Sequence, residues 1–523
     1  MKKKLLTAVV LGTLSASLAA CGSGASTTAT TAATAAAEGS TASATQSADT
    51  GTPAQGGSFI YGLATEVDNL DPFASTTADA RSIYFNIYEG LLKCDEDGNF
   101  QPAIASDYQV SDDGLTYTFT LRDNVLFHNG NPVTTDDVLY SIQLAIDSKI
   151  TGYDNIDTFT APDGKTIVIT LKTPDGDFPA EVCQAIVPKD SDNNGELATA
   201  PIGTGPYELT DFAVQDHLTL TRNDDYWGTP AYLDTVTVKF IDSSADLLVN
   251  YQSGAIDGFV ANGAITEQVD KSTSVINVGN SNAVQMLALN NTAAPFNNPE
   301  VRQAVSYAVD SDEIIDTACY GYGVKLGTAM IPGLKDYFDD SLTDTYDVDD
   351  DKAKELLADA GYADGFTFTV KVPSVYQVHL DTAQIIVNDL AKVGITMNIE
   401  QVDWATWLEN VYTNRDYEAT IISVDGSIAS PTSFLSRYVS DAGNNFVNYS
   451  SADFDAAYES AASALSQDDR IAGFKKCEQI LTQDAASVYI QDISNILVYT
   501  DRFSGFASYP LYATDFAAIY QVQ

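Results

Sequence analysis

The sequence predicts an α/β protein built as two or more lobes, and three observations carry that expectation. The globular stretch from about Gly56 to Gln523 is longer than a single small core serves. Its first third reads as strands separated by Asp/Gly/Pro turns. From about Asn297 helical and strand patterns alternate, as they do where helices pack on a sheet with parallel pairings.

Each element has a local reason. Leu115–Leu121 (LTYTFTL) alternates apolar and polar β-formers after the turn Asp112-Asp113-Gly114, and Thr166–Leu171 (TIVITL) follows Pro162-Asp163-Gly164. The string DGKT at Asp163–Thr166 is a hairpin turn rather than a phosphate loop, because Phe159 stands where that loop needs its first glycine. Pro299–Val309 opens with Pro and Glu and keeps helical apolar spacing; Asp351–Ala360 stops at Gly361, a C′ glycine. Then come strand Phe366–Val372, helix Asp381–Lys392, strand Ile395–Val402, helix Trp404–Tyr412 and strand Tyr417–Ser423. There is no internal repeat.

The first 55 residues are of another kind. Lys2, Lys3 and Lys4 precede the apolar run Leu5–Ala20, too short to span a bilayer, so residues 1–20 read as a signal peptide. Leu18-Ala19-Ala20-Cys21 resembles the bacterial lipobox, which implies lipidation of Cys21 as the new N-terminus; the alternative is an ordinary leader cleaved after Ala20 or Ala37. Residues 22–55 carry nothing large and apolar to bury, so 21–55 is expected to be a flexible lipidated tether. No other run reaches the ~20 apolar residues of a membrane span. The expected location is the outer face of the cytoplasmic membrane, held there by lipid.

Composition excludes several function classes. With 72 acidic against 26 basic side chains and a formal charge of -46, the surface repels phosphate backbones, and no basic stripe offsets it, so no nucleic-acid partner is expected. Cys94, Cys183, Cys319 and Cys477 are too widely spaced for a disulfide framework and read as buried thiols. His128, His217 and His379 lie far apart, no C-x-x-C occurs, and neither a metal nor any other cofactor is signalled. A secreted hydrolase would need a nucleophile partnered by histidine or a carboxylate pair; no G-x-S-x-G occurs, and the protein is read as a non-enzyme.

Seven motifs in one order resemble a known family. Asp107–Gly130 (DYQVSDDGLTYTFTLRDNVLFHNG), continued by Asn131–Ser141, resembles the signature of the large extracytoplasmic solute-binding proteins of peptide and nickel ABC importers (family 5). Further matches are Tyr88-Glu89-Gly90-Leu91, Gly203–Tyr207 (GTGPY), Arg222–Trp227 (RNDDYW), Val301–Ala304 (VRQA) and Leu356–Gly361, over roughly Gly57 to Tyr509. The resemblance implies a two-lobed α/β Venus-flytrap of the periplasmic-binding-protein-like type II class, with an extra β-rich subdomain in lobe one. Lobe one would comprise 56–282, with the subdomain at about 96–200, and 496–523; lobe two would comprise 283–495. Crossovers near Met286–Asn290 and Ser494–Val498 would form the hinge. The implied partners are an ABC permease and a ligand enclosed by hinge closure, with the protein a monomer.

The resemblance also locates candidate ligand residues. Dipeptide-binding relatives pair the peptide amine with an aspartate before a proline; here Ser430 precedes Pro431, with Asp425 nearby. They pair the carboxylate with an arginine after a strand; here Val372–Val378 holds Tyr376 and no arginine. A dipeptide with both termini buried is therefore disfavoured. Trp404 and Trp407, at i and i+3 after Asp403, suit a helix core face or a ligand platform; Trp407 is assigned to the core, and both readings stay open for Trp404. Glu66 faces the cleft in relatives or is a rim carboxylate. The expected ligand is an oligopeptide, with an oligosaccharide as the rival and a metal chelate third.

Overall fold

The computed structural model describes residues 52–523 except 68, 76, 192–194, 427 and 512; the leader, Cys21 and nearly all of the tether lie outside the described residues. Its backbone is a 12-stranded sheet in which one strand, Ser487–Thr500, pairs with strands on both sides. On one side of it lie, in order, Ala283–Leu289, Ala419–Asp425, Thr367–Pro373 and Thr396–Val402. On the other lie Gly258–Ala261, Ser58–Leu63, Thr235–Phe240, His217–Arg222 and Tyr207–Ala213.

Alternating helix and strand give the parallel pairings expected. Thr367–Pro373 runs parallel to both Thr396–Val402 and Ala419–Asp425, with the helix Gln377–Lys392 as the crossover between the first two. Gly361, at φ 86°, closes the helix Asp350–Asp359 from the left-handed conformation that glycine adopts without strain. The expected helix Trp404–Tyr412 departs from regularity: it is α-helical only to Trp407, and Leu408–Thr413 is a π-turn. A separate four-stranded antiparallel sheet holds Ala105–Val110, Thr116–Leu121, Thr166–Leu171 and Ile156–Thr160, the β-rich segment read from the turns at Gly114 and Gly164.

Hydrophobic packing separates into groups. One core joins residues between Phe59 and Val238 with Phe503, Phe516 and Ile519. Two others cover the two faces of the Ala283–Leu289 side: one around Trp407, Phe446 and Phe474, the other around Phe296, Phe368 and Ile421. The strand Ser487–Thr500 pairs with Ala283–Leu289 through its first half and with Ser274–Asn280 through its second. The change of partner falls between Asn280 and Ala283, just before the crossover expected near Met286. Asp492, fully buried, fixes that turn by accepting from Ser281 Oγ at 2.8 Å and from the backbone N–H of Asn282 and Ala283 at 3.2 and 3.3 Å. Beside it Gln491 Nε2 donates to Gln285 Oε1 at 2.8 Å, and Gln285 Nε2 lies 2.9 Å from His379 Nδ1. The four cysteines beyond the leader are free thiols.

Buried acids make stability depend on pH, Glu181 among them with Glu478 and Asp492. Glu181, in the short helix Phe178–Glu181, packs its carboxyl against Gly152, where an added Cβ would lie 1.7 Å away. Burial above all, then the charges of Asp175, Asp177 and Asp154, push its pKa up to about 9. The native chain therefore holds this proton across a range in which the unfolded chain, titrating near 4.5, has released it. Stability is fullest below the unfolded value and is lost as pH rises through the folded one. Urea unfolding at pH 5, 7 and 9 is expected to show a falling free energy, and Glu181→Gln to flatten that slope; an unchanged slope would mean the carboxyl is ionised in the native state.

Candidate ligand cleft

The sequence candidates on lobe two are carried by three neighbouring strand ends. Thr367–Pro373 leads to Tyr376, Thr396–Val402 to Trp404, and Ala419–Asp425 ends on Asp425 itself. Asp403 caps the helix that begins at Trp404, its carboxylate accepting from the backbone N–H of Thr406 at 3.0 Å and from Thr406 Oγ1 at 2.7 Å. That cap fixes the direction of Trp404, which is 38% exposed and stacks flat on Trp407 with ring centres 5.0 Å apart. Trp407 is buried, and its Nε1–H donates to Thr420 Oγ1 at 2.9 Å, so it belongs to the core as expected. Tyr376 meets Trp404 edge-on at 5.8 Å and is 42% exposed. Burial first and then the Asp425 charge raise the pKa of its hydroxyl.

Two of these lobe-two elements reach lobe one. Asp425 pairs with Arg81, on the helix Ala78–Tyr84, at 3.6 Å. Thr432, at the start of the short helix Thr432–Leu435, donates to Asp177, which also pairs with Arg470 of the helix Gln467–Gln483; both charged partners are almost wholly buried. Lys335 and Asp97 make a further, exposed pair at 2.7 Å. The two parts of the chain thus meet at Asp425–Arg81, Thr432–Asp177–Arg470 and Lys335–Asp97, while Tyr376 and Trp404 follow the strands that neighbour the one ending on Asp425.

The other candidates fall elsewhere. Ser430 is buried, with its Oγ 3.4 Å from the backbone N of Thr432 and 3.3 Å from Thr432 Oγ1, a turn role rather than an open cleft position. Glu66 is exposed and accepts from the backbone N–H of Gln215 at 2.9 Å, which ties it to the turn ahead of His217–Arg222. A cavity of about 50 Å³ lies beside the crossing strands, lined by Asn277, Asn280, Asn495, Ser508 and Asp515 among others, and contains none of the aromatic candidates. Arg81, Asp177, Thr432 and Arg470 are the seam residues that sequence reasoning missed. Arg81 and Arg470 had one signal, scarcity, since the chain holds only 26 lysines and arginines; Asp177 and Thr432 had none.

Comparison with known proteins fits this geometry. Protein XP55 of Streptomyces lividans is 28% identical over 493 residues, covering 88% of this chain and 89% of that protein. Heme-binding protein A of Haemophilus influenzae is 26% identical over 479 residues, covering 83% and 86%. The structure of the ABC transporter-associated periplasmic binding protein DppA from Helicobacter pylori, in complex with the peptide STSA, is similar at a TM-score of 0.75 and 28% identity, covering 90% of this chain and 99% of that one. The profile of bacterial extracellular solute-binding proteins, family 5, matches residues 99–446, and this chain belongs to that family.

Proposed function

We propose that this protein captures oligopeptides outside the cytoplasmic membrane and delivers them to an ABC permease, enclosing them between its lobes by hinge closure. The observation that carries the reading is the cluster of Trp404, Tyr376 and Asp425 along the seam, facing Arg81. An exposed tryptophan backed by a buried one offers a rigid apolar wall, and the strand end at Asp425 offers backbone and charge beside it. A relative of the same fold that holds a four-residue peptide supports this ligand class. Cys21 serves as the lipid anchor and residues 21–55 as the tether, so that the loaded protein stays close to its permease. Binding and release, without turnover, complete the cycle.

The stacked pair Trp404–Trp407 favours an oligosaccharide as the second reading, since sugars lie on such faces. Thermal melting against peptide mixtures, oligosaccharides and Ni²⁺ separates the readings. A ligand bound only by the folded state adds about 2.7 kcal/mol at a hundredfold excess over Kd. Peptides are expected to raise the melting temperature and sugars to leave it unchanged; the reverse pattern overturns the peptide reading. Trp404→Ala is expected to weaken peptide binding about tenfold, some 1.4 kcal/mol, while costing the ligand-free fold about 1 kcal/mol or less.

A further inference from the structure

The segment from Asp425 to Tyr438 touches lobe one at both Asp425 and Thr432, and it carries an arginine that the protein does not neutralise. Arg437 donates through Nη2 to the carbonyl of Ser433 at 3.1 Å. Its Nε–H is shut away from solvent and has no hydrogen-bond partner, and among the described residues no carboxylate comes within ion-pair distance. Burial lowers its pKa, outweighing the groups that stand near it, the phenols of Tyr438 and Tyr412 and the carboxylate of Asp425. Asp425, the only carboxylate among these, is engaged by Arg81 from the opposite lobe.

Other arginines of lobe two show what a structural role looks like. Arg302 gives three donors to the carbonyls of Ala485, Phe296 and Asp484 at 3.0, 2.8 and 2.8 Å. Arg470 pairs with Asp177 and donates to Ala462. Arg415 leaves one N–H open, but its guanidinium lies over the Tyr412 ring at 5.4 Å. Arg437 has neither a full set of carbonyls, nor a counter-ion, nor a ring. A half-buried guanidinium whose buried Nε–H has no partner is costly to the fold and suited to a ligand that brings the missing acceptor.

We propose that Arg437 is the anion anchor of the cleft and receives a carboxylate of the bound ligand, which for a short peptide is its free C-terminus. The proposal rests on the peptide reading above. It supplies from a different element the cation that is missing from Val372–Val378. A guanidinium presents parallel N–H donors to a carboxylate, whereas an amidated terminus has no negative charge to offer.

Two synthetic mixtures of randomised tetrapeptides, one with free C-termini and one amidated, test this on the purified protein. Captured sequences are identified by mass spectrometry and titrated calorimetrically in both forms. Wild type is expected to prefer the free acid about tenfold or more. Arg437→Met is expected to remove that preference by weakening the acid alone, and Arg437→Lys to keep part of it. Because Met removes a guanidinium whose buried Nε–H has no partner, the ligand-free variant is expected to melt no lower than wild type, whereas a structural arginine would show a lower melting point. Equal binding of acid and amide by wild type, or equal weakening of both by Arg437→Met, overturns the anchor while leaving peptide capture standing. Binding of neither mixture by wild type overturns peptide capture itself, and the anchor with it.

Discussion

Asp177→Ala is expected to shift the protein toward an open arrangement of its lobes and to weaken ligand binding by two to three orders of magnitude. Asp177 and Arg470 are an ion pair with both side chains almost fully buried, and Thr432 donates to the same carboxylate. Removing one member of a buried pair costs about 3–5 kcal/mol, because the other charge is left dry and unmatched. Here the charge has an escape, since parting the lobes returns Arg470 to water. The penalty therefore falls on the closed state rather than on the folded state as a whole. A loss of about 3–4 kcal/mol from the closed state corresponds to 10²–10³ in apparent affinity once closure must be driven by the ligand. Small-angle scattering should show a larger radius for Asp177→Ala than for wild type without ligand, while the urea midpoint moves little. The double variant Asp177→Leu with Arg470→Met, with no charge left to rehydrate, should recover most of the closure. A large fall in the urea midpoint at unchanged radius would instead make the pair a brace of the fold.

That pair also marks where sequence reading stops. Strands such as Thr166–Leu171 and the stop at Gly361 were legible because alternation, turn chemistry and a left-handed glycine are properties of neighbouring residues. Order along the chain identified the family, since motifs from Tyr88 to Gly361 need only appear in sequence. Asp177 and Arg470 lie 293 residues apart, and nothing local to either tells that the lobes bring them together. Arg437 was invisible for a different reason: its signal is an absent partner, which exists only once the neighbours are placed. The strand Ser487–Thr500 shows an intermediate case. Its β-forming residues mark it as a strand, but that one strand serves two groups of partners follows only from pairing. At Trp404 and Trp407 the spacing put both on one helical surface; the core assignment of Trp407 holds, and exposure was needed to decide Trp404.

Trp407→Ala is expected to be the most damaging single substitution in lobe two, at about 3–5 kcal/mol of unfolding free energy. Trp407 is 4% exposed and packs in one core with Val402, Val411, Tyr417 and Phe446. Truncation leaves a void that this core fills only in part, since the π-turn Leu408–Thr413 and the strand Ala419–Asp425 hold its walls. The lost hydrogen bond adds less: Thr420 Oγ1 still donates to the carbonyl of Lys371 at 2.6 Å, so no donor is stranded. Trp407→Phe, which keeps most of the ring and loses the N–H, is accordingly expected to cost about 1–2 kcal/mol. The two tryptophans then differ in what they lose. Trp404→Ala should lower affinity with little change in stability, whereas Trp407→Ala should lower both, because the exposed ring stacks on the buried one and loses its support. Urea unfolding alongside peptide titration of both variants decides this. Equal stability losses at the two positions would mean that the exposed ring is packed as tightly as the buried one, and the cleft wall would then have to be sought elsewhere than at Trp404.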